Sequence, residues 1–435
     1  MAAAGPAGEK GEPPGQPAGE EAEGEGKPPE GQPTRGGPAE SGGELVARVL
    51  PDVPGLGREL DYLVPPKLAG EVRLGSIVRI PLQGRRVRGW VVEFPALPEP
   101  GLVLRALSGV TGWGPGEDLL ELAAWAGWRW AGPRRSLLVT ASPEAAVKQL
   151  PPVFRPTPMA VALRSPARPA PAARALASRD LAHQAIAAGA GIHLLRLPPD
   201  YDASEVVMAA VAWGPVLVVV PSQERASAGA ATLRRQGLAV ARLPGDWAQA
   251  RAGVEVVIGS RGAAWGPCPG MATAIVLDAH DEAFTQQQAP TWGASAVVAE
   301  RARRASVGCL WVSPCPTLEM LAAAGTVRVP DRSTERAGWA PLQVTDLRNE
   351  DPRSGLFSEA LVGLLRSGGR VVCVLNRKGR ATLLACSACG ELARCEECGG
   401  AVAVGGDGDL VSCRRCGASR AIVCARCGSV SLRTL

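Results

Sequence analysis

The sequence predicts a multidomain α/β protein, and three observations carry that expectation. Between residues 190 and 315, continuous apolar runs at 216–220, 238–243, 254–258, 274–277 and 308–312 alternate with helical segments. Strands that are apolar on both faces belong inside a parallel sheet covered by helices on each side, so this stretch reads as a doubly wound lobe. Residues 44–110 instead alternate short apolar runs with turn signals, the texture of a small β domain. Finally, four CxxCG knuckles stand between Cys386 and Gly428, a spacing that a purely packed domain has no need of.

The elements follow in order. Residues 1–43 are dominated by Gly, Pro, Ala and Glu and hold no large apolar residue between Met1 and Leu45, so the segment reads as a disordered tail. Eight acidic and three basic residues fall in it, so the rest of the chain carries a net charge of +10 against +5 for the whole, which permits a polyanionic partner. Within 44–110, strands are expected at 45–50, 61–64, 76–80 and 87–92. Arg79, Arg85, Arg86 and Arg88 cluster there, and a charge run of this kind is first of all a solvated face. Leu119, Leu122, Ala123, Trp125, Ala126 and Trp128 recur at helical spacing within 111–150, and the tryptophans read as core. Residues 151–185, rich in Pro, Ala and Arg, read as a linker, 186–325 as the first lobe, and 340–435 as the start of a second with a strand at 371–375. No run of eighteen apolar residues occurs, so a soluble, cytoplasmic protein with no membrane partner is expected.

The knuckles read as two structural zinc sites. Each zinc takes four tetrahedral thiolates at about 2.3 Å, and one CxxC pair supplies two of them from a tight turn. The glycine after each pair (Gly390, Gly399, Gly417, Gly428) suits a turn that needs positive φ. A disulfide framework is the alternative, disfavoured because no apolar secretory segment precedes the chain. The 401–412 spacer reads as a hairpin around a Gly/Asp turn. It groups Cys395, Cys398, Cys413 and Cys416 on one metal and leaves Cys386, Cys389, Cys424 and Cys427 for the other; sequential pairing stays open. Cys268, Cys309, Cys315 and Cys373 sit singly in apolar stretches and read as buried small hydrophobes.

The order of several short motifs resembles the primosomal protein N′ (PriA) family of replication-restart proteins. Leu60-Asp61-Tyr62-Leu63-Val64-Pro65 resembles its FDYLVP element, and Gly75-Ser76-Ile77-Val78-Arg79-Ile80-Pro81 its GxxVxVPF strand. Gly259-Ser260-Arg261-Gly262-Ala263 is similar to GTRSA, Ser313-Pro314-Cys315-Pro316-Thr317-Leu318-Glu319 to SATPSLES, and Leu375-Asn376-Arg377-Lys378-Gly379 to LNRRG. The resemblance implies a β domain that captures a DNA 3′ end, a winged-helix-like segment at 111–150, and two RecA-like lobes with the zinc module in the second. It also implies that Asp61 and Tyr62 line the 3′-end pocket, the ring stacking a terminal base and the carboxylate accepting from its hydroxyl.

The helicase machinery departs from that pattern. A phosphate cradle needs glycines, a lysine and a hydroxyl. The matching stretch is Arg196-Leu197-Pro198-Pro199-Asp200-Tyr201-Asp202-Ala203-Ser204-Glu205, with no lysine between Lys148 and Lys378. Asp278 ends a strand where a metal-holding aspartate belongs, but Ala279 replaces the following glutamate, and His280, Asp281 and Glu282 read as a displaced remnant of DEEH. Ser204 and Asp278 thus mark a degenerate nucleotide site in which ATP binding is doubtful, and no catalytic residue is assigned. Three functions compete: a scaffold that binds forked DNA and recruits primosome and helicase-loading proteins, with single-stranded DNA-binding protein as a further partner; an ATP-dependent 3′-to-5′ helicase; and a zinc-ribbon protein that docks other proteins. The last residues carry no helix stop, so a fragment and a shortened protein are equally compatible with them.

Overall fold

A computed structural model describes residues 45–98, 101–153, 173–346, 357–374, 383–404, 409–413 and 415–434. The tail at 1–43, the Leu375-to-Gly379 motif and most of the Gly/Asp turn at 405–409 lie outside the described residues. Two compact units result, 1–339 and 340–435.

Six strands open the first unit: β1 (Val46–Pro51), β2 (Leu60–Leu63), β3 (Ile77–Leu82), β4 (Arg85–Glu93), β5 (Arg105–Ala106) and β6 (Gly109–Gly112). They form one sheet in the order β5-β2-β1-β4-β3-β6, antiparallel except for β2 beside β5. β3 and β4 join through Gln83-Gly84, both at positive φ (47° and 77°), the conformation a two-residue hairpin with native twist requires. Side chains alternate across the sheet. Val49, Tyr62, Val78, Ile80 and Val91 bury into a core of the sheet's own, while Leu50, Ile77 and Trp90 bury on the other side, in the same core as α1 (Glu117–Arg129) and α2 (Arg134–Ala141).

Residues 111–150 were expected to be winged-helix-like. They hold α1 and α2, but the described residues from 142 to 153 form no wing hairpin. That segment serves as a strap instead: Trp113 N–H donates to the Val147 carbonyl at 2.8 Å, which ties it to the end of β6. Trp125 is half-buried as expected, whereas Trp128 is 66% exposed, because it falls on the solvent side of α1.

The lobe follows as α3 (Ala173–Ala187), β7 (Gly191–Leu195), α4 (Ala203–Val211), β8 (Val216–Val219), α5 (Gln223–Arg235), β9 (Val240–Arg242), α6 (Trp247–Ala252), β10 (Val256–Gly259), β11 (Thr273–Leu277), α7 (Ala294–Arg304), β12 (Gly308–Val312), α8 (Leu318–Ala323), β13 (Thr326–Arg328) and α9 (Arg332–Ala337). Seven strands pair in parallel in the order β13-β7-β12-β11-β8-β10-β9. Along β8, Val216 and Val218 enter one core, Leu217 and Val219 the opposite one. The doubly wound reading therefore holds, with two corrections. Residues 173–185, read as linker, are helical and bury Ala182 and Ala185, since alanines at helical spacing pack closely once a sheet lies beneath them. The sheet also extends past 325 to β13.

In the second unit, α10 (Glu359–Arg366) precedes β14 (Leu384–Cys386), β15 (Val402–Val404), β16 (Leu410–Cys413), β17 (Ser419–Ala421) and β18 (Leu432–Thr434). The strand expected at 371–375 is not formed: residues 371–374 are irregular and exposed. A doubly apolar strand needs parallel neighbours. Among the described residues this unit offers none. Cys268 and Cys309 are buried as expected, with burial pushing both thiols up to about 12. Cys315 and Cys373 are exposed because each lies in irregular chain outside a strand.

Gly75 has φ +83°, and a Cβ there would overlap the Pro115 carbonyl oxygen. Gly75→Ala is expected to destabilise by about 2 kcal/mol or more, read as a lower urea midpoint at unchanged slope. Gly57→Ala, with open space around it, should leave the midpoint in place.

Candidate functional site

The cysteine knuckles assemble as the spacer predicts. Antiparallel pairing of β15 with β16 sets Val402 opposite Cys413, and pairing of β14 with β18 sets Cys386 opposite Leu432. Two four-sulfur groups result, Cys386, Cys389, Cys424 and Cys427 in one and Cys395, Cys398, Cys413 and Cys416 in the other, each with all its Sγ atoms within 4.8 Å of one another. Opposed sulfurs stand 3.5–3.6 Å apart, for example Cys386 to Cys427 and Cys389 to Cys424. A tetrahedron with about 2.3 Å metal–sulfur bonds has edges of about 3.8 Å, so both groups could hold a metal ion. In each knuckle the glycine N–H donates to the first cysteine's carbonyl, at φ between +67° and +79°. Backbone N–H groups of Cys389 and Ala388 hold the Cys386 thiol down to about 6, and those of Cys416 and Arg415 do the same for Cys413.

Ser204 and Asp278, far apart in sequence, line one cavity of about 530 Å³ at the carboxyl ends of β8, β10 and β11. Its polar groups are already engaged. The Asp202 carboxylate caps α4, accepting from Ser204 N–H at 2.9 Å and from the Ser204 hydroxyl at 2.7 Å. Gln236 Nε2 donates to the same Ser204 Oγ at 3.1 Å. Arg225, projecting from α5, forms an ion pair with Asp278. Tyr201 sits against Asp278, and burial followed by that neighbouring charge pushes its hydroxyl pKa up. On the preceding loop, Arg196 NH2 meets Glu335 Oε1 of α9 at 2.5 Å, and the close approach of Gly338 to Pro198 and Asp200 leaves no room for a Cβ. His280 Nδ1 lies 3.0 Å from Ser313 Oγ, joining two of the quoted motifs.

Asp61 and Tyr62 are neighbours on β2 and therefore point to opposite faces. Tyr62 is 4% exposed and its hydroxyl donates to the Pro81 carbonyl at 3.2 Å, so its ring is not offered for stacking. Asp61 accepts both arms of Arg48, Nε at 2.9 Å and NH2 at 3.2 Å, while Arg48 NH1 also meets Glu93 at 2.6 Å. This first role of Asp61 was invisible in the motif, because Arg48 lies on the next strand. Across the β3–β4 hairpin, Arg79 stands opposite Arg88 and Pro81 opposite Arg86. Asp52 takes Arg88 at 2.9 Å and Arg135 at 2.6 Å, whereas Arg79, Arg85 and Arg86 face solvent as a basic edge. Among the described residues no helix is long and apolar enough to cross a membrane.

With this geometry in hand, likeness to known proteins is specific. The family model described as 3′DNA-binding domain (3′BD), a PriA domain, matches residues 48–143, the six-stranded sheet with α1 and α2. Replication restart protein PriA of Thermotoga maritima is 29% identical over 190 residues, 42% of this chain and 26% of that protein. Probable replication restart protein PriA of Mycobacterium tuberculosis is 27% identical over 425 residues, 88% of this chain and 64% of that one. The match thus spans between about a quarter and two thirds of these relatives. A solved Pyrococcus furiosus Hef helicase domain overlaps 37% of this chain and 39% of its own at 15% identity and TM-score 0.28. This chain is thus similar to replication restart protein PriA, as its motif order implies.

Two four-thiolate groups should each carry one ion. Purified chain is expected to hold two metal ions by elemental analysis, Cys395→Ser to hold one, and chelation of the remainder to melt the module. A parent stoichiometry near one would contradict the nested pairing.

Proposed function

We propose, from the relationship to PriA, that this chain is a replication-restart protein that binds forked DNA at a 3′ end and recruits primosome and helicase-loading proteins without acting as a helicase. The match of residues 48–143 to a 3′DNA-binding domain carries the DNA half of that reading. Asp61 is the group we assign to the terminal hydroxyl: a carboxylate bound by Arg48 keeps lone pairs free for one further donor. Tyr62 supports it from the core rather than by stacking. Exposed Arg79, Arg85 and Arg86 supply sequence-independent phosphate contacts, so affinity should fall steeply with salt.

The internally paired charges of the lobe's cleft support the second half. A triphosphate normally binds the free N–H groups of a helix N-terminus beside a lysine and a magnesium ion held by an aspartate. Here Asp202 already occupies that N-terminus and Arg225 already neutralises Asp278, so an incoming phosphate would meet a carboxylate, and an incoming magnesium ion a guanidinium. The two cysteine groups are assigned to structural zinc, since four thiolates close the tetrahedron and leave no position for substrate.

A fork ending in a 3′ hydroxyl should bind more tightly than one ending in a 3′ phosphate, and Asp61→Asn should remove about tenfold of that preference, the value of one charge-assisted hydrogen bond. Equal affinity for the two ends would refute the pocket. Phosphate release from ATP should stay at background with or without fork, in the parent and in Asp278→Ala alike; DNA-stimulated hydrolysis abolished in that variant would restore the helicase reading.

A further inference from the structure

The groove beside the 3′-end domain has no role in any reading so far. It encloses about 720 Å³ and is lined by Glu71, Arg73, Thr111, Trp113, Lys148 and Gln149, among others. Two cations face one carboxylate. The Arg73 guanidinium carbon lies 4.7 Å from the centre of the Trp113 ring, and that of Arg251 lies 5.3 Å from it. Stacking fixes the plane of a guanidinium and leaves its N–H edge free, a fork that matches two oxygens of a phosphate. Trp113 is itself fixed through its N–H to Val147, and Arg73 N–H donates to Ser76 Oγ at 3.0 Å, so both partners stand on ordered backbone. Lys148, one of five lysines in the chain, is exposed on the strap across the groove. Thr111, also in the lining, has its Oγ1 buried without a hydrogen-bond partner.

We propose that this groove binds the phosphodiester backbone of a single nucleic-acid strand, with Arg73 presented by Trp113 and Lys148 closing from the strap. The inference rests on the DNA-binding reading above and extends it to a second contact. A groove of about 720 Å³ with Arg73 and Lys148 in its lining offers one cation to each of two phosphates of a single backbone. Arg73 precedes β3, and the Arg85-Arg86 hairpin follows it. The six residues of that strand, at about 3.3 Å each, span about 20 Å, so the two basic positions stand beyond its opposite ends. A strand held at its end elsewhere on this domain would find cations at both.

The test uses full-length chain with its metal and a short single-stranded oligonucleotide, with affinity measured across a salt series. Arg73→Gln combined with Lys148→Gln should lower the slope of log K against log salt by about 1.4, because each single-strand phosphate left without its cation takes about 0.7 from the slope. From about 50 to about 200 mM salt the parent should then lose about sevenfold more affinity than the variant. Arg73→Lys should keep the slope but bind less tightly, because an ammonium neither stacks flat nor donates as a fork. Both side chains are exposed, so folding is unaffected. An unchanged slope in the double variant, with oligonucleotide still bound, overturns the groove and leaves the DNA-binding reading standing. Failure of the parent to bind oligonucleotide or fork overturns both. Inorganic phosphate is the other source of the same chemistry: saturable binding to parent but not variant, with equal oligonucleotide slopes, assigns the groove to free phosphate and overturns the strand.

Discussion

The first unit depends on one apolar layer shared by parts that the sequence presents as separate. Trp90 and Leu50 of the N-terminal sheet, Leu119, Leu122, Leu137 and Leu138 of α1 and α2, and Leu217, Trp247 and Trp265 of the lobe belong to a single buried cluster. Each such side chain contributes about 1.5–3 kcal/mol by leaving water. The layer is also directional. Trp90 Nε1 donates to Ser142 Oγ at 2.8 Å and Trp247 Nε1 to the Ala141 carbonyl at 2.9 Å, so two indoles from different elements converge on the end of α2. Buried indole N–H groups need partners, and meeting that need at one place fixes register as well as proximity. The sheet that bears Asp61 and the lobe that bears Asp278 are therefore parts of one packed body.

On the function proposed above, the cleft of the lobe would keep the placement of a nucleotide site and reverse its electrostatics. Asp202 caps the N-terminus of α4 and Arg225 pairs with Asp278, each of the sign that a nucleotide or its metal would bring on that reading. Such a substitution removes the cost of leaving a helix N-terminus and a strand-end carboxylate unpaired. The link of Arg196 to Glu335 and the tight fit of Gly338 against Pro198 and Asp200 place α9 over the same loop, so the loop is held by packing instead of by ligand.

The second unit is stabilised differently. Its described core is small, formed by Leu384, Cys395, Val402, Val411 and Cys413 with a few partly buried neighbours, and two of those five are cysteines of one four-sulfur group. A core of that size does not offset the entropy of ordering the chain around it. Cross-linking four turns through two ions, which the two four-sulfur groups could hold, would supply the difference. It also explains why the strands there are only three or four residues long, since each has only to bring one knuckle to another.

What the sequence determined by itself were the features set by local chemistry or by a strict period. A CxxCG turn needs its glycine at positive φ wherever it occurs, and the spacer hairpin fixes which knuckles meet; both were legible and both are found. Continuous apolar runs dictated the parallel sheet for the same reason. Tertiary structure decided the rest. That Tyr62 would be buried and Asp61 clasped by Arg48 follows from which face of β2 meets which strand, a choice made by packing. Residues 173–187 are helical because a sheet lies below their alanines, and 371–374 form no strand because no neighbour is offered among the described residues. Arg225 reaches Asp278 across 53 positions of sequence, and no motif announces it: a pair of opposite charges has no period and no local geometry, so only the folded chain could bring it together.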